Sequence, residues 1–210
     1  LLYVIKKCIK LILSGIQESN FPISINEQDA VLDNYMSILY NKNQPDRRIR
    51  TKDFVGPSSV SLELKNIIPL SEDVSIPNIR TSYTVTEKAD GYRKLLFISK
   101  NGKIYLIDTN MRVQFTGVKT DTKNYFNTII DGEHVLKDKN QNFINNYLAF
   151  DIYYINKVDQ RHNGFYIDSD DNDKQGRLIE LKKLIKEINF MPFVGDVLPL
   201  KIKSKRFLYS

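Results

Sequence analysis

The stretch RKLLFISKNGKIYLID, residues 93–108, limits the fold more than any other part of the chain. Two apolar runs meet at Asn101-Gly102, the favoured pair for a type I′ turn, in which both central residues need positive φ. The stretch is therefore expected to form a β-hairpin. Its first strand carries the unbroken run Leu95-Leu96-Phe97-Ile98. A strand with one wet face alternates apolar and polar residues, so a run without alternation points to a strand covered on both faces.

Strand texture continues around this hairpin. Val60–Leu64, Tyr83–Glu87, Thr128–Leu136 and Tyr147–Ile155 are rich in β-branched, aromatic and aliphatic residues. The tail LPLKIKSKRFLY, residues 198–209, reads as one more strand, with Lys201, Lys203 and Lys205 alternating to the same side. Three segments have helical periodicity instead. Residues 1–14 fit a largely buried helix, and 27–41 place Ala30, Val31, Tyr35, Ile38 and Leu39 on one face. GRLIELKKLIKEINF, residues 176–190, puts Leu178, Leu181, Ile185 and Ile188 on one face. Residues 41–59 are polar, basic and punctuated by Pro45, Gly56 and Pro57. They read as a linker or an extended approach to the next domain, with Arg47, Arg48 and Arg50 as exposed loop charges.

The chain's 210 residues suffice for one large domain, or for one with an appended helical segment. A formal charge of +6 and a pI near 9.2 suit nucleic acid or anionic nucleotides but select neither. The single cysteine, Cys8, excludes an internal disulfide and a cysteine-based zinc site, and points to a reducing compartment. The apolar N-terminus is interrupted by Lys6, Lys7 and Lys10 and is too short to span a bilayer. Leu1 in place of Met suggests a chain cut from a longer one. The acidic run 168–173 fails the calcium-loop test. Counting from Asp168 puts Asp173 at position six and Ile179 at twelve; counting from Asp171 places Gly176 correctly but Lys182 at twelve.

Three constellations carry chemistry. In TVTEKADGYRKLLF, Lys88 ends one strand-like run, and Asp90, Gly91 and Arg93 precede the next. Glycine permits a tight turn or a close approach, aspartate braces turns, and arginine offers a forked donor for phosphate or ribose oxygens. A lysine becomes a nucleophile once desolvation or a neighbouring cation exposes its lone pair. The plain alternative is a turn with surface charges. In TIIDGEHVL, Gly132 interrupts a strand, a common sign of close approach to a ligand, beside Glu133. His134 reads as structural. In NYLAFDIYYI, Asp151 lies among apolar residues and requires a partner, while Phe150 is either a stacking surface or core.

Taken in this order, EKADGYR, IDGEHV and YLAFDIYY resemble motifs I, III and IIIa of the covalent nucleotidyltransferases, the superfamily of mRNA capping enzymes and ATP-dependent polynucleotide ligases. DFVGPSSVSLELKNI and LILSGIQESNFPISI are similar to the segments preceding the guanylyltransferase domain in large DNA viruses. The resemblance implies an α+β fold, with an antiparallel, ATP-grasp-like sheet core and flanking helices. Residues 1–50 would be a helical connector or the end of a preceding domain. Residues 51–210 would be the N-terminal part of the nucleotidyltransferase domain, ending before motif IV.

The implied activity is that of an mRNA guanylyltransferase. Lys88 would take GMP from GTP and pass it to a 5′-diphosphate RNA end. Glu87, Asp90, Gly91, Arg93, Glu133, Phe150 and Asp151 would form the nucleotide site. Glu133 would also contact Mg²⁺ or Mn²⁺. Thr109 stands where several family members carry an arginine, and Arg112 lies close enough in sequence to replace it. A cytoplasmic or virion location, no membrane partner, and covalently linked triphosphatase and methyltransferase domains go with the same resemblance. An ATP-dependent DNA or RNA ligase with the same lysine chemistry, or a catalytically silent RNA-binding module, are the alternatives.

Overall fold

The computed structural model describes residues 1–40, 48–69, 78–80, 83–166 and 176–209. The acidic run 168–173 and Arg47 lie outside these residues. Among the described residues, three α-helices, α1 (Leu2–Ile16), α2 (Ile25–Tyr40) and α3 (Arg177–Glu187), accompany ten strands. These are β1 (Thr84–Val85), β2 (Tyr92–Ile98), β3 (Lys103–Asp108), β4 (Val113–Thr120), β5 (Thr128–Lys137), β6 (Phe143–Ile155), β7 (Val158–Asp159), β8 (Phe190–Pro192), β9 (Lys201–Ser204) and β10 (Leu208–Tyr209). The main sheet runs β7-β6-β5-β2-β3-β4-β8, antiparallel throughout, and β9 joins it parallel to β6. A separate ribbon pairs β1 with β10. The class is α+β, as expected.

β2 is covered on both faces, as its apolar run requires. Leu95 and Phe97 pack with Val31, Tyr35 and Ile38 of α2, whereas Leu96 and Ile98 pack with Leu181 and Leu184 of α3. The hairpin forms, but with a different turn. Gly102 has φ of 78°, whereas Asn101 is not in the positive-φ region, and the Gly102 amide donates to Ser99 O. A three-residue loop of this kind, a type I turn closed by a left-handed glycine, needs only one positive φ. The Asn101 side chain braces the turn by accepting from the Lys103 amide.

Other expectations shift for physical reasons. α1 buries none of its residues, and Leu2, Ile9, Leu11 and Ile12 are exposed. Its periodicity marks a helix, but nothing among the described residues covers it. Residues 60–63 form no strand, and 64–66 make a turn of 3₁₀ helix instead. β4 was not expected, because Gln114, Thr116, Gly117, Lys119 and Thr120 dilute its apolar signal. The tail divides into two short strands, one held by β6 and the other by β1. The approach segment docks closely on α2. The Tyr35 hydroxyl, fully buried, donates to Asp53 O at 2.8 Å and accepts from the Val55 amide at 2.9 Å.

Candidate nucleotide site

The β2–β5 register brings the first two constellations together. Arg93 lies opposite Glu133, and Leu95 opposite Asp131. Side chains two apart share a face, so Arg93, Asp131 and Glu133 point to the α2 side of the sheet. Arg93 grips Asp131 with two bonds, Nε to Oδ1 at 3.2 Å and Nη2 to Oδ2 at 2.6 Å. Its Nη1 donates to Pro57 O at 2.7 Å. Tyr153 from β6 donates its hydroxyl to Asp131 Oδ2 at 2.6 Å. Asp131 is fully buried. Burial pushes its carboxyl above the ordinary value, with Arg93 and Tyr153 pulling the other way, while the carboxylate holds Arg93 firmly charged. The arginine fork thus clamps the start of β2 to β5 and to the approach segment.

Gly91 shows why the motif needs a residue without a side chain. A Cβ there would stand 2.7 Å from His134 O and 2.9 Å from Glu133 Cγ. The close approach lets the Gly91 amide donate to Glu133 Oε1 at 3.1 Å, which ties the loop down from its other side. Gly132 is explained differently from the ligand approach expected of it. The Tyr147 ring crosses it, and a Cβ would lie 2.4 Å from that ring. The Tyr147 hydroxyl donates towards Lys94 O and Ile130 O and accepts from the Leu96 amide, bridging β2 and β5.

Lys88 sits on the loop so anchored. Its side chain is 86% exposed, and among the described residues it pairs with Asp90, Nζ to Oδ1 at 3.2 Å. An ion pair this exposed holds a side chain only weakly. The lysine opens on a cleft of about 1480 Å³ lined by residues 85–92, the β5–β6 hairpin and Ser204–Arg206. Lys88, Lys137, Lys139, Lys205 and Arg206 outnumber Glu87, Asp90 and Asp138 in its wall. Such a cleft favours anions.

The remaining residues fall into two groups. Glu87 lines the cleft and is exposed. Phe150 is half-buried, with Lys205 Nζ 6.0 Å from its ring centre. Asp151 stands opposite Asp131 in the β5–β6 register, and Arg177 from the start of α3 binds it through Nε at 2.9 Å and Nη2 at 3.0 Å. That pair supplies the partner its burial demanded. Arg112 closes the β3–β4 turn by donating its amide to Asp108 Oδ1 and does not line the cleft. His134 is structural in its contacts. Lys94 can only donate, so Nδ1 at 3.3 Å must accept, leaving the proton on Nε2 for Asn145 Oδ1 at 2.7 Å. Among the described residues no three His, Cys, Asp or Glu side chains gather as a ready-made metal cage. Mg²⁺ needs none, since it is commonly held by one or two carboxylates together with substrate phosphates. Glu133 fits that use, because only Oε1 is engaged by the Gly91 amide.

The model of the mRNA capping enzyme catalytic domain matches residues 17–197. The chain belongs to that family. It is also 31% identical over 151 residues to the probable mRNA-capping enzyme of Acanthamoeba polyphaga mimivirus, covering 72% of this chain and 11% of that protein. The family match takes in α2, the approach segment and the three constellations but ends before β9. Three residues that the structure sets beside these constellations escaped the sequence reading. Asp131 and Tyr153 looked like turn and core residues because the register that joins them to Arg93 is not visible in sequence. Lys205 looked like one of three equivalent strand lysines, with no local signal to separate it from Lys201 and Lys203.

Proposed function

We propose that the chain is the guanylyltransferase portion of an mRNA capping enzyme, built on an ATP-grasp-like nucleotidyltransferase core. One observation carries this reading within the family assignment: Lys88 is exposed, weakly held, and set on a doubly anchored loop in a cationic cleft. After losing a proton, its Nζ attacks the α-phosphorus of GTP. A P–N bond forms, the bond from α-phosphorus to the bridging oxygen breaks, and pyrophosphate departs with the electron pair. A terminal oxygen of the RNA 5′-diphosphate then attacks the same phosphorus. The P–N bond breaks and Lys88 recovers a proton. Asp90 orients the lysine, Glu133 fixes the loop through Gly91, and Phe150 offers a face for the guanine. Mg²⁺ or Mn²⁺, held by Glu133 and the triphosphate, would neutralise charge and orient the leaving group. Arg93 supports the site as the clamp on Asp131. A cytoplasmic or virion location, and fusion to triphosphatase and methyltransferase activities in a longer protein, accompany the proposal.

The full-length protein incubated with Mg²⁺ and GTP labelled at the α-phosphorus should acquire an acid-labile, alkali-stable GMP adduct. Lys88→Ala should abolish it. Persistent labelling of that variant would overturn the assignment of the nucleophile. A lysine-linked AMP formed without any GMP adduct would transfer the chain to the ligase reading.

A further inference from the structure

We propose that Tyr92 and the β5–β6 hairpin form the landing surface for the acceptor RNA, with Tyr92 stacking on a base near the 5′ end and Lys137 and Lys139 pairing with backbone phosphates. The inference rests on the guanylyltransferase reading and concerns residues which that reading leaves unused. All three line the cleft on which Lys88 opens. Tyr92 follows the motif glycine, stands opposite His134 at the start of β2, and is 65% exposed. Lys137 ends β5 and Lys139 follows in the turn, both of them exposed. Among the described residues none of these three side chains has a hydrogen bond or an ion pair. The acid between the two lysines is committed to the turn. Asp138 Oδ1 accepts from the amides of Asn140 at 2.8 Å and Asn142 at 2.9 Å, and Oδ2 accepts from Asn142 Nδ2 at 3.0 Å.

Distance along the sheet separates this surface from the nucleoside. Glu133 stands opposite Leu148, whereas Lys137 stands opposite Phe143. At about 3.3 Å per residue, Lys137 lies about 13 Å beyond Glu133 on β5, and Phe143 about 23 Å from Phe150 on β6. A mononucleotide seated on Phe150 and Glu133 leaves the hairpin bare. The RNA diphosphate, however, must reach the α-phosphorus on Lys88, and the nucleotides behind it need a path out of the cleft. The flank formed by Ser204–Arg206 is tied to the Lys88 loop, through β1 on β10 and the Thr86 hydroxyl on Arg206 O. The hairpin end instead offers unpaired cations for phosphates and an exposed ring for a base. That combination holds single strands without reading their sequence.

The test separates charging of Lys88 from its discharge. Tyr92→Ala, Tyr92→Phe, the double variant Lys137→Gln/Lys139→Gln and a charge-matched control on α3, Lys183→Gln/Lys186→Gln, would be prepared in the full-length protein, with thermal unfolding measured for each. Lysyl-GMP formation would be timed in single turnovers at saturating GTP. The isolated adduct would then be discharged by subsaturating 5′-diphosphate RNA over a range of salt concentrations, or by pyrophosphate, which returns GTP and needs no RNA. An RNA surface predicts that Tyr92→Ala and the hairpin double variant lose far more in RNA discharge than in formation or in pyrophosphate discharge. Tyr92→Ala should slow RNA discharge about fivefold or more, with Tyr92→Phe close to wild type. The hairpin double variant should flatten the slope of log rate against log salt by about 1.4, for two lost phosphate contacts, and the α3 control should leave it unchanged. Equal loss in all three steps would overturn the proposal in favour of a contact to the phosphates of GTP. RNA discharge and a salt slope matching wild type would overturn it outright, and equal loss in Tyr92→Phe and Tyr92→Ala would overturn the stacking contact. If the wild-type protein forms only an AMP adduct, the guanylyltransferase reading fails. Retention of the same RNA by the adduct-free protein over the same salt range then decides the surface separately, because the Tyr92→Ala and hairpin variants must still weaken it.

Discussion

Asp131→Asn tests the claim that Arg93 is spent on holding the fold. The substitution keeps the shape and leaves an acceptor for Tyr153, but removes the charge facing the guanidinium. Breaking a buried pair by deleting one partner costs about 3–5 kcal/mol when the survivor is sealed from water. Asp131 is sealed, but the Arg93 side chain retains 30% exposure, so water recovers part of the loss. The expected destabilisation is therefore about 2–3 kcal/mol. With a urea m value of about 2 kcal/mol/M for a chain of this size, the midpoint should fall by roughly 1–1.5 M. Arg93→Met should cost at least as much, because it strands a fully buried carboxylate. The double variant should lose clearly less than the sum of the two singles. Far-UV circular dichroism through a urea titration measures all three. A midpoint for Asp131→Asn within about 0.2 M of wild type, or simple additivity of the two losses, would refute the clamp. The combination of an unchanged midpoint and a raised KM for GTP in Arg93→Met would return the arginine to the ligand.

Gly132→Ala should destabilise the domain by about 1–3 kcal/mol, because its Cβ must displace the Tyr147 ring; urea unfolding measures it. Gly91→Ala collides with main chain instead, at His134 O. It should reduce lysyl-nucleotide formation at least tenfold while moving the unfolding midpoint much less, as read by labelling and melting together. The buried His134 has a proton affinity depressed below its ordinary value near 6.5, with Lys94 beside it. Between the folded value and 6.5 the unfolded chain binds the proton and the folded chain does not. Stability is therefore present above this window and declines as pH falls through it. His134→Gln should flatten that part of a plot of unfolding temperature against pH.

What was legible in the sequence was set by local signals. The Asn101-Gly102 pair and the run Leu95–Ile98 were enough to place a doubly covered hairpin, because turn chemistry and burial act on neighbouring residues. The same signals did not settle the turn type, since the Asn101 side chain braces a three-residue loop as readily as its backbone enters a two-residue one. The Lys88 loop stood out as a candidate because Lys88, Asp90, Gly91 and Arg93 fall within six positions. The clamp on Arg93 was not, because Asp131 and Tyr153 meet it only through the β2–β5–β6 register. Asp151 illustrates both sides. Its need for a partner followed from the cost of burying a charge, while the identity of that partner, Arg177, depends on where α3 docks.

The site divides its labour between rigid main chain and one free side chain. On one side the loop is tied to β5 through the Gly91 amide and Glu133. On the other, β1 leads into it and is paired by β10, while Thr86 donates its hydroxyl to Arg206 O at 2.7 Å. Residues 205–207 thus bridge the main sheet, through β9 on β6, and the small ribbon at the mouth of the cleft. The Phe207 ring meets Phe165 edge-on at 5.1 Å, so this bridge also has a packed underside. A loop held at both ends by backbone contacts loses little precision when its lysine swings. On the guanylyltransferase reading, the four-carbon stem of Lys88 would carry a nucleotide from one leaving group to the next acceptor without rebuilding the sheet. This geometry makes the bridge as important as the motif loop. Loosening β10, for example by Leu208→Pro, should impair lysyl-nucleotide formation although no residue that contacts the nucleotide has changed.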